Sequence, residues 1–340
     1  MKKKIALILA AMLVFGMLGG CETAEPATTT TEETVQKPTQ SPEEAKVMKI
    51  LTLGSSSTVD ACHMLNLVAA AEGATQELVV GSLYYSGCKL SQHAQFLKEN
   101  SPVYSLYLSR SADPKSPPTI MDNVTMQMAL RQDCWDIVFL QGSGFETLED
   151  TAFTNGNTEI IKNYVLENKL NPEMEFGYHA TGVSSTDKDL IATYPLSPNV
   201  YETNAAKYGY DRKVIYNERV DRLRRFVETD PDYIYRVYSI TTVENAITSF
   251  LGEKGIKRDY THLTDIGRLA AAYCYYCELY GVEELTEIKV DTIPRAFLKS
   301  TADKSVDLVL TDAEKAVILE AVNNTIKDPL RITPSKLTEG

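Results

Sequence analysis

Positive charge and histidine are scarce in this sequence. Among its 340 residues, Lys and Arg together number 34 and Asp and Glu 46, which gives a formal net charge of −12 at pH 7. Nucleic acids and anionic lipid surfaces are bound mainly through clusters of Lys and Arg. The acidic balance therefore argues against a nucleic-acid-binding protein and against direct electrostatic binding to a membrane surface.

Clusters of the residues that hold metals are lacking as well. The sequence has only 4 histidines and 6 cysteines. The cysteines that follow Cys21 are odd in number, so they cannot all pair with one another, and their mostly apolar neighbours are typical of small buried residues. Cys274 and Cys277 have the C-x-x-C spacing, but they lie in a long helical pattern with no second pair. The sequence therefore predicts no metal and no cofactor.

A long apolar run occurs once, at the amino terminus. Lys2–Lys4 precede the run Ile5–Leu18, which is short for a helix that spans a bilayer, where about 20 residues are needed. A basic start, an apolar run of this length and small residues before a cleavage point are typical of a secretory signal. The ending Leu18–Cys21 resembles the bacterial lipobox, which implies cleavage after residue 20 and diacylation of Cys21. We therefore expect a signal peptide at 1–20 and a lipid anchor on the outer face of the cytoplasmic membrane.

The segment after the signal is polar. Residues 21–46 are rich in Thr, Glu and Pro, and such a segment cannot bury enough surface to offset the entropy lost on ordering. We therefore expect a disordered tether behind the lipidated Cys21. The remaining residues, 47–340, suffice for one large domain. Within it we expect a core at about 48–281 and a C-terminal helical tail at 282–340.

Apolar strands alternate with helical patterns along this domain. The pattern predicts strands at 48–53, 77–84, 103–109, 135–141, 173–179 and 233–240. It predicts helices at 61–71, 91–98, 124–131, 158–167, 205–228, 242–251, 263–280 and 312–326. Continuous apolar strands separated by helices indicate an α/β fold, a three-layer α/β/α sandwich with a mainly parallel central sheet.

Ligands in such sheets bind beyond the carboxyl ends of the strands. This rule singles out Gly54–Ser57, Tyr85–Cys88 and Gln141–Gly144. In the first segment, an apolar strand ends at Gly54 and hydroxyl residues lead directly into a helix. The N–H groups at the start of that helix favour negative charge, so a serine there has exposure and part of an oxyanion hole. The same residues also suit a helix cap, where Ser is common.

An acidic residue and a histidine lie three residues apart late in the chain, at Asp259 and His262. Just before a helix, this spacing lets the two side chains share one turn and form a hydrogen bond. The carboxylate would then fix the tautomer of the imidazole, leaving the other ring nitrogen to activate a hydroxyl. Among the histidines, only His262 has an acidic residue at this spacing in a predicted loop.

Together these segments resemble the SGNH/GDSL hydrolase superfamily, and in particular an uncharacterised bacterial branch of it. The motifs that carry the resemblance are Gly54–Ser56, Gly87–Leu90, His93, Leu140–Gln141 and Arg258–Leu263. The resemblance extends over about residues 48–281. It implies a three-layer α/β/α domain that hydrolyses an ester through an acyl-enzyme, without a metal or cofactor.

The resemblance also implies roles for individual residues. Ser56 would be the nucleophile, His262 the general base and Asp259 the residue that orients it. The oxyanion would be held by the backbone N–H groups of Ser56 and Gly87. Members of the superfamily usually add an Asn side chain from a Gly-x-Asn-Asp block after the third strand.

Two positions depart from the pattern of the superfamily. No Asn follows the strand at 135–141, where Gln141 is our first choice for a third oxyanion donor and Ser143 the second. Ser55 stands where the superfamily has Asp or Asn, so Ser55 and Ser57 remain rivals of Ser56 as nucleophile.

The other histidines and Asp60 are assigned structural roles. We expect Asp60 to form a capping-box-like pair with Ser57 at the start of the helix. His93 is expected to support the loop that precedes it, and His63 to lie on the helix surface or in the core. His179 ends a strand, from where it can border the cleft.

Two classes of function follow from these observations. The first is a surface-anchored serine esterase that acts on a small ester, such as the acetyl group of an acylated carbohydrate. The second is a non-catalytic lipoprotein that binds a glycan or a peptide on a degenerate SGNH fold. The oligomeric state is left open by the sequence.

Overall fold

The computed structural model describes residues 47–110, 113–193 and 198–338. The predicted signal peptide at 1–20, the lipidated Cys21 and the tether at 21–46 therefore lie outside the described residues. Within the described ranges, no helix is long and apolar enough to cross a membrane. The described residues all belong to one compact unit.

The centre of the domain is a sheet of seven strands with the order β4-β3-β2-β1-β5-β6-β7. Its members are β1 (Val47–Gly54), β2 (Glu77–Tyr84), β3 (Tyr104–Arg110), β4 (Thr119–Val124), β5 (Ile137–Leu140), β6 (Glu175–His179) and β7 (Tyr233–Val237). β1 pairs in parallel with both β2 and β5, and β6 and β7 continue the parallel part. β3 and β4 extend the sheet as an antiparallel hairpin beside β2. The predicted α/β fold with a mainly parallel sheet is confirmed.

Helices cover both faces of this sheet. In chain order they are α1 (Ser56–Cys62), α2 (Leu65–Glu72), α3 (Leu90–Glu99), α4 (Met126–Leu130), α5 (Thr151–Thr154), α6 (Asn157–Asn168), α7 (Lys188–Ala192), α8 (Pro198–Lys207), α9 (Arg212–Arg222), α10 (Ser239–Ile247), α11 (Gly252–Ile256), α12 (Asp265–Tyr280) and α13 (Asp312–Lys327). A small two-stranded sheet, β8 (Thr292–Ile293) with β9 (Leu308–Val309), follows α12.

Two apolar cores result, one on each face of the sheet. The first joins β1 and β2 to α1, α2, α10, α12 and α13, and the second joins the other face to α3, α4, α6 and α9. All four residues of β5 are buried, because a central parallel strand is covered on both sides. This explains why the central strands are continuous apolar runs in the sequence.

The chain reverses its direction across the sheet at β1. From β1 it passes to β2, β3 and β4 on one side, and it returns to β5, β6 and β7 on the other. The carboxyl ends of β1 and β5 therefore border the crevice where α/β sheets bind ligands. The turn after β1 and the segment after β5 both lie at this switch point.

Three differences from the predicted elements have a clear physical reason. The helix expected at 61–71 begins five residues earlier, at Ser56, and is interrupted at His63 and Met64. The helix expected at 205–228 is broken after Lys207, since Gly209 and Tyr210 both adopt positive φ angles. Strand β4 was not predicted, because most of its residues face solvent and an exposed edge strand has no apolar alternation to detect.

Candidate active site

The turn after β1 is held by the side chain of Gln141, which follows β5. The oxygen Gln141 Oε1 accepts hydrogen bonds from Ser55 N and Ser55 Oγ, each at 2.9 Å, and from Thr58 Oγ1 at 3.0 Å. A Cβ atom on Gly54 would lie 2.7 Å from Gln141 Oε1, so this close approach needs glycine. Ser55 is 4% exposed, and its hydroxyl is engaged, so it is not available to attack a substrate.

Ser56 and Ser57 open helix α1 and are both half-buried. The first backbone hydrogen bonds of the helix come from Thr58 N and Val59 N to Ser55 O. The N–H groups of Ser56 and Ser57 therefore precede the first intrahelical bond, as expected at a helix start. Among the residues that the structure describes, none forms a hydrogen bond with the Ser56 hydroxyl. The arrangement leaves an accessible hydroxyl beside an N–H group that can face a developing negative charge.

Asp259 and His262 form the hydrogen-bonded pair that their spacing predicts. The ring nitrogen His262 Nδ1 lies 2.9 Å from Asp259 Oδ2 and 3.0 Å from Asp259 Oδ1. Asp259 Oδ1 also accepts from the backbone N–H groups of Thr261 and His262, at 2.9 and 2.8 Å. The Asp259 carboxylate thus binds both the backbone of its own turn and the imidazole ring of His262. Because Nδ1 is bound to Asp259, the other ring nitrogen, Nε2, faces away from it.

The pKa of Asp259 is set by opposing effects. Burial raises it, but the hydrogen bonds from the His262 ring and from the backbone N–H groups of His262 and Thr261 outweigh burial and lower the pKa to about 2. Asp259 is therefore ionised at neutral pH. A carboxylate must be ionised to stabilise an imidazolium ion.

Asp60 joins the first helix to the loop that carries this pair. Its Oδ2 accepts from Leu263 N at 3.1 Å, and its Oδ1 lies 3.3 Å from Nη1 and Nη2 of Arg258. The predicted capping-box pair of Asp60 with Ser57 is wrong, because the N-cap is Ser55 and no side chain caps this helix. The Asp60 carboxylate binds the loop at 258–263 instead. The only feature of the sequence that could have indicated this role is the position of Asp60, four residues after Ser56 on the same helix face.

His179, at the end of β6, lies in the core. It is 1% exposed, and its ring nitrogens lie 3.4 Å from Thr58 Oγ1 and 3.1 Å from Ser239 Oγ. Burial, with a smaller contribution from Arg219, lowers its pKa to about 3. His179 is therefore neutral, and it contacts the first turn of α1 through Thr58. A small cavity of about 10 Å³ beside it is lined also by Ser57, Asp60, Ala61, Thr181, Gly182, Ser239, Thr261, Leu263 and Ala271.

The loop after β2 contains Gly87, which has a φ angle of +60°. Glu146, in the segment after β5, accepts hydrogen bonds from Leu90 N at 2.6 Å and Ser91 N at 3.2 Å. The start of α3 is thereby fixed to the segment after β5. His93 on the same helix is 1% exposed and bonds through Nδ1 to the Tyr104 hydroxyl at 2.9 Å, so it joins α3 to β3 inside the core.

Gln141 and Ser143 differ in what they can offer to a ligand. The Gln141 amide is 1% exposed; its oxygen binds the Ser55 turn, and one N–H donates to the carbonyl of Gly142. At most one N–H of this amide is left for a ligand. Ser143 Oγ accepts from Glu146 N at 3.3 Å, and no described residue accepts its hydroxyl hydrogen.

No group of three or more His, Cys, Asp or Glu side chains could hold a metal ion within the described ranges. All five described cysteines are free. Burial raises the pKa of Cys274 to about 12, so this thiol stays protonated and is not a reactive or ligating thiolate at neutral pH.

Comparison with known proteins places these segments in a family. The model of a domain of unknown function, DUF4886, matches residues 49–296. The chain belongs to the DUF4886 family. The matched range includes the turn after β1, the loop at Gly87, Gln141 and the pair Asp259–His262, whereas α13 lies beyond it.

Solved structures resemble this DUF4886 chain to different degrees. A DUF4886 family protein from Bacteroides uniformis has a TM-score of 0.68 at 22% identity, covering 86% of this chain and all of that one. At this identity the likeness shows the shared fold alone. A protein from Slackia heliotrinireducens proposed to be an SGNH hydrolase has a TM-score of 0.40 at 15% identity over 68% of this chain and 99% of its own. The acetyl xylan esterase AlAXEase has a TM-score of 0.30 at 12% identity over 67% and 98%. No curated protein matches.

Proposed function

We propose that this DUF4886 chain is a serine hydrolase of SGNH type that cleaves carboxylic esters. The observation that carries the proposal is the Asp259–His262 pair, whose loop is bound through Asp60 to the helix that begins at Ser56. A base oriented by a carboxylate, on a loop that is bound to the helix carrying an accessible hydroxyl, suits the activation of a nucleophile.

In the proposed reaction, Ser56 Oγ attacks the ester carbonyl while His262 Nε2 takes the hydroxyl proton. The imidazolium ion is stabilised by Asp259 and returns the proton to the leaving alcohol, which leaves an acyl group on Ser56. Water then attacks the acyl-enzyme, with His262 again accepting and returning the proton, and the carboxylic acid is released. Catalytic hydrogen bonds often tighten only when substrate is bound, so a bond between Ser56 and His262 is expected to form in the complex.

The oxyanion needs donors that point at the carbonyl oxygen. We assign this role to the backbone N–H groups of Ser56 and Gly87, with a side chain from the segment after β5 as third donor. Gln141, our first choice from the sequence, has its oxygen bound to the Ser55 turn and one N–H bound to Gly142. Ser143 has its hydroxyl hydrogen available. We therefore assign Gln141 to holding the turn and Ser143 to the third donor, which is typically worth about 3–4 kcal/mol of barrier.

The substrate we propose is a small acyl ester, such as an acetyl group on a carbohydrate. Its support is the resemblance to SGNH hydrolases together with the expected location outside the cytoplasmic membrane. In this mechanism the carboxylate–imidazole pair and the backbone N–H groups supply the chemistry, without a metal or cofactor.

Fluorophosphonate labelling tests the reaction class directly. The wild-type chain is expected to be labelled once, with the adduct mapped by peptide mass spectrometry to Ser56. Ser57→Ala is the matched control, since Ser57 lies in the same first turn and should be labelled at Ser56 like the wild type. An unlabelled chain would support the non-catalytic glycan- or peptide-binding lipoprotein, and an adduct on Ser57 would move the nucleophile by one residue.

The location of the chain is also a proposal, since Cys21 lies outside the described residues. We propose that Cys21 is lipidated and anchors the domain to the outer face of the cytoplasmic membrane. In a bacterial host, the full chain should enter the membrane fraction and incorporate labelled palmitate, whereas Cys21→Ser should do neither. Equal palmitate incorporation by both would contradict the anchor.

A further inference from the structure

Asp60 contacts the loop of the candidate base on both sides of the Asp259–His262 pair. Its Oδ2 binds the backbone N–H of Leu263, the residue directly after His262, at 3.1 Å. Its Oδ1 lies 3.3 Å from both terminal nitrogens of Arg258, the residue directly before Asp259. The side chain of Arg258 in turn donates to the carbonyl of Leu263.

The Asp60 carboxylate is itself firmly held. Asp60 is 5% exposed, and a second guanidinium, that of the fully buried Arg268, lies 3.4 Å from its Oδ1. Arg268 is fixed by Asp265 at 2.9 Å and by the carbonyl of Phe297. A buried carboxylate between two guanidinium groups keeps one geometry, because each departure would leave a buried charge without a partner.

The loop also has backbone contacts of its own. Its own closure comes from the antiparallel bridge between Lys257 and Leu263 and from the bond of Arg258 N to His262 O at 3.0 Å. These contacts are internal to the loop. Asp60 adds a hydrogen bond and an ion pair that connect the loop to α1, where Asp60 lies four residues after Ser56.

We propose that Asp60 is a positioning residue that sets the location of the Asp259–His262 pair relative to Ser56. The inference rests on the proposed function, and it adds a residue that touches neither the substrate nor the reacting atoms. Misplacement of a catalytic group by about 1 Å can cost about 10²-fold in rate. A contact on each side of the pair is therefore enough to control turnover without changing the fold.

The test compares Asp60→Ala, Asp60→Asn and the control Asp136→Asn. Asp136 directly precedes β5, accepts hydrogen bonds from Lys49 N at 2.8 Å and from Asn171 Nδ2 at 2.9 Å, and has no hydrogen bond to the loop at 258–263 in the described structure. Asp60→Ala should lower kcat by about 10²-fold, with KM within about threefold of the wild type. Asp60→Asn keeps an acceptor for Leu263 N–H and should recover about tenfold of that loss.

Two further measurements separate positioning from stability. Asp136→Asn should lower the melting temperature while kcat per folded molecule stays within about threefold. Hydrogen exchange of the Leu263 amide should be faster in Asp60→Ala than in the wild type, and nearly unchanged in Asp136→Asn. Equal loss of kcat in Asp136→Asn and both Asp60 variants, or a wild-type kcat in folded Asp60→Asn and Asp60→Ala, would overturn the inference.

The outcome is distinguishable from failure of the proposed function. If the wild type neither hydrolyses esters nor reacts with a fluorophosphonate, the serine hydrolase proposal is wrong. Exchange of the Leu263 amide then decides by itself whether Asp60 holds the loop. If the wild type reacts and Asp60→Ala reacts equally fast, only the role of Asp60 is wrong.

Discussion

Replacing either Ser56 or His262 by Ala is expected to lower kcat for p-nitrophenyl acetate by a factor of about 10⁴ or more. Without the Ser56 hydroxyl no acyl-enzyme can form, and without the imidazole the hydroxyl keeps its proton and remains a weak nucleophile. Because the two residues act as one unit, the double variant should be about as slow as either single variant.

The measurement is steady-state hydrolysis together with the rate of fluorophosphonate labelling. Ser57→Ala serves as a control for activity and Ser55→Ala as a control for stability. Ser57→Ala should stay within about threefold of the wild type in kcat. Ser55→Ala should act mainly on stability, since it removes a buried hydrogen bond to Gln141, worth about 1 kcal/mol. Additive losses in the Ser56 and His262 double variant would show that the two side chains do not act together.

Asp259→Asn is expected to lower kcat by about 10³–10⁴-fold while the fold is retained. An amide that donates to His262 Nδ1 would favour the wrong tautomer, and it cannot stabilise the imidazolium ion. Comparison of kcat with KM, together with the circular dichroism spectrum, checks this prediction. A loss confined to KM would indicate that Asp259 contributes to substrate binding instead.

The same variant has a pH-dependent effect on stability. The pKa of Asp259 is lowered from 3.8 to about 2 in the folded chain, and its side chain is 18% exposed. A depressed carboxyl pKa contributes stability that is present above the unfolded pKa and is lost as the pH falls through the folded pKa. The shift corresponds to about 2 kcal/mol at neutral pH.

Urea denaturation at a series of pH values measures this contribution. The free energy of unfolding of Asp259→Asn should be lower than that of the wild type at pH 7, and the difference should shrink between about pH 4 and pH 2. A difference that does not change over this range would show that the Asn variant is destabilised for another reason, such as a changed turn.

The two positions that depart from the SGNH pattern, Ser55 and Gln141, are joined by a hydrogen bond. Ser55 stands where the superfamily has Asp or Asn, and Gln141 precedes the segment where it has a further Asn. In the structure Ser55 Oγ donates to Gln141 Oε1 at 2.9 Å. The buried pair explains how the turn before Ser56 is held without a carboxylate at position 55. Ser55 and Gln141, the two residues that differ from the superfamily pattern, thus bind each other.

Local patterns were sufficient for most of the fold. β2 has the predicted bounds, and β1, β5 and β6 agree within a few residues, because buried parallel strands are apolar runs. The antiparallel β4 was missed since its side chains face solvent, and the start of α1 was placed too late since Ser and Thr are poor helix formers. Gly209 and Tyr210 broke a helix whose apolar periodicity continued through them.

The sequence by itself determined the contacts that span a few residues. Asp259 and His262 lie three apart before a helix, so their hydrogen bond follows from the local turn. Only the tertiary structure excluded Ser55 from the three candidate serines, because Gln141, 86 positions away, binds its hydroxyl. It alone also assigned Asp60, whose bond to Leu263 joins residues separated by 203 positions. Local spacing cannot encode such pairs, since they form only when the sheet brings the carboxyl ends of its strands together.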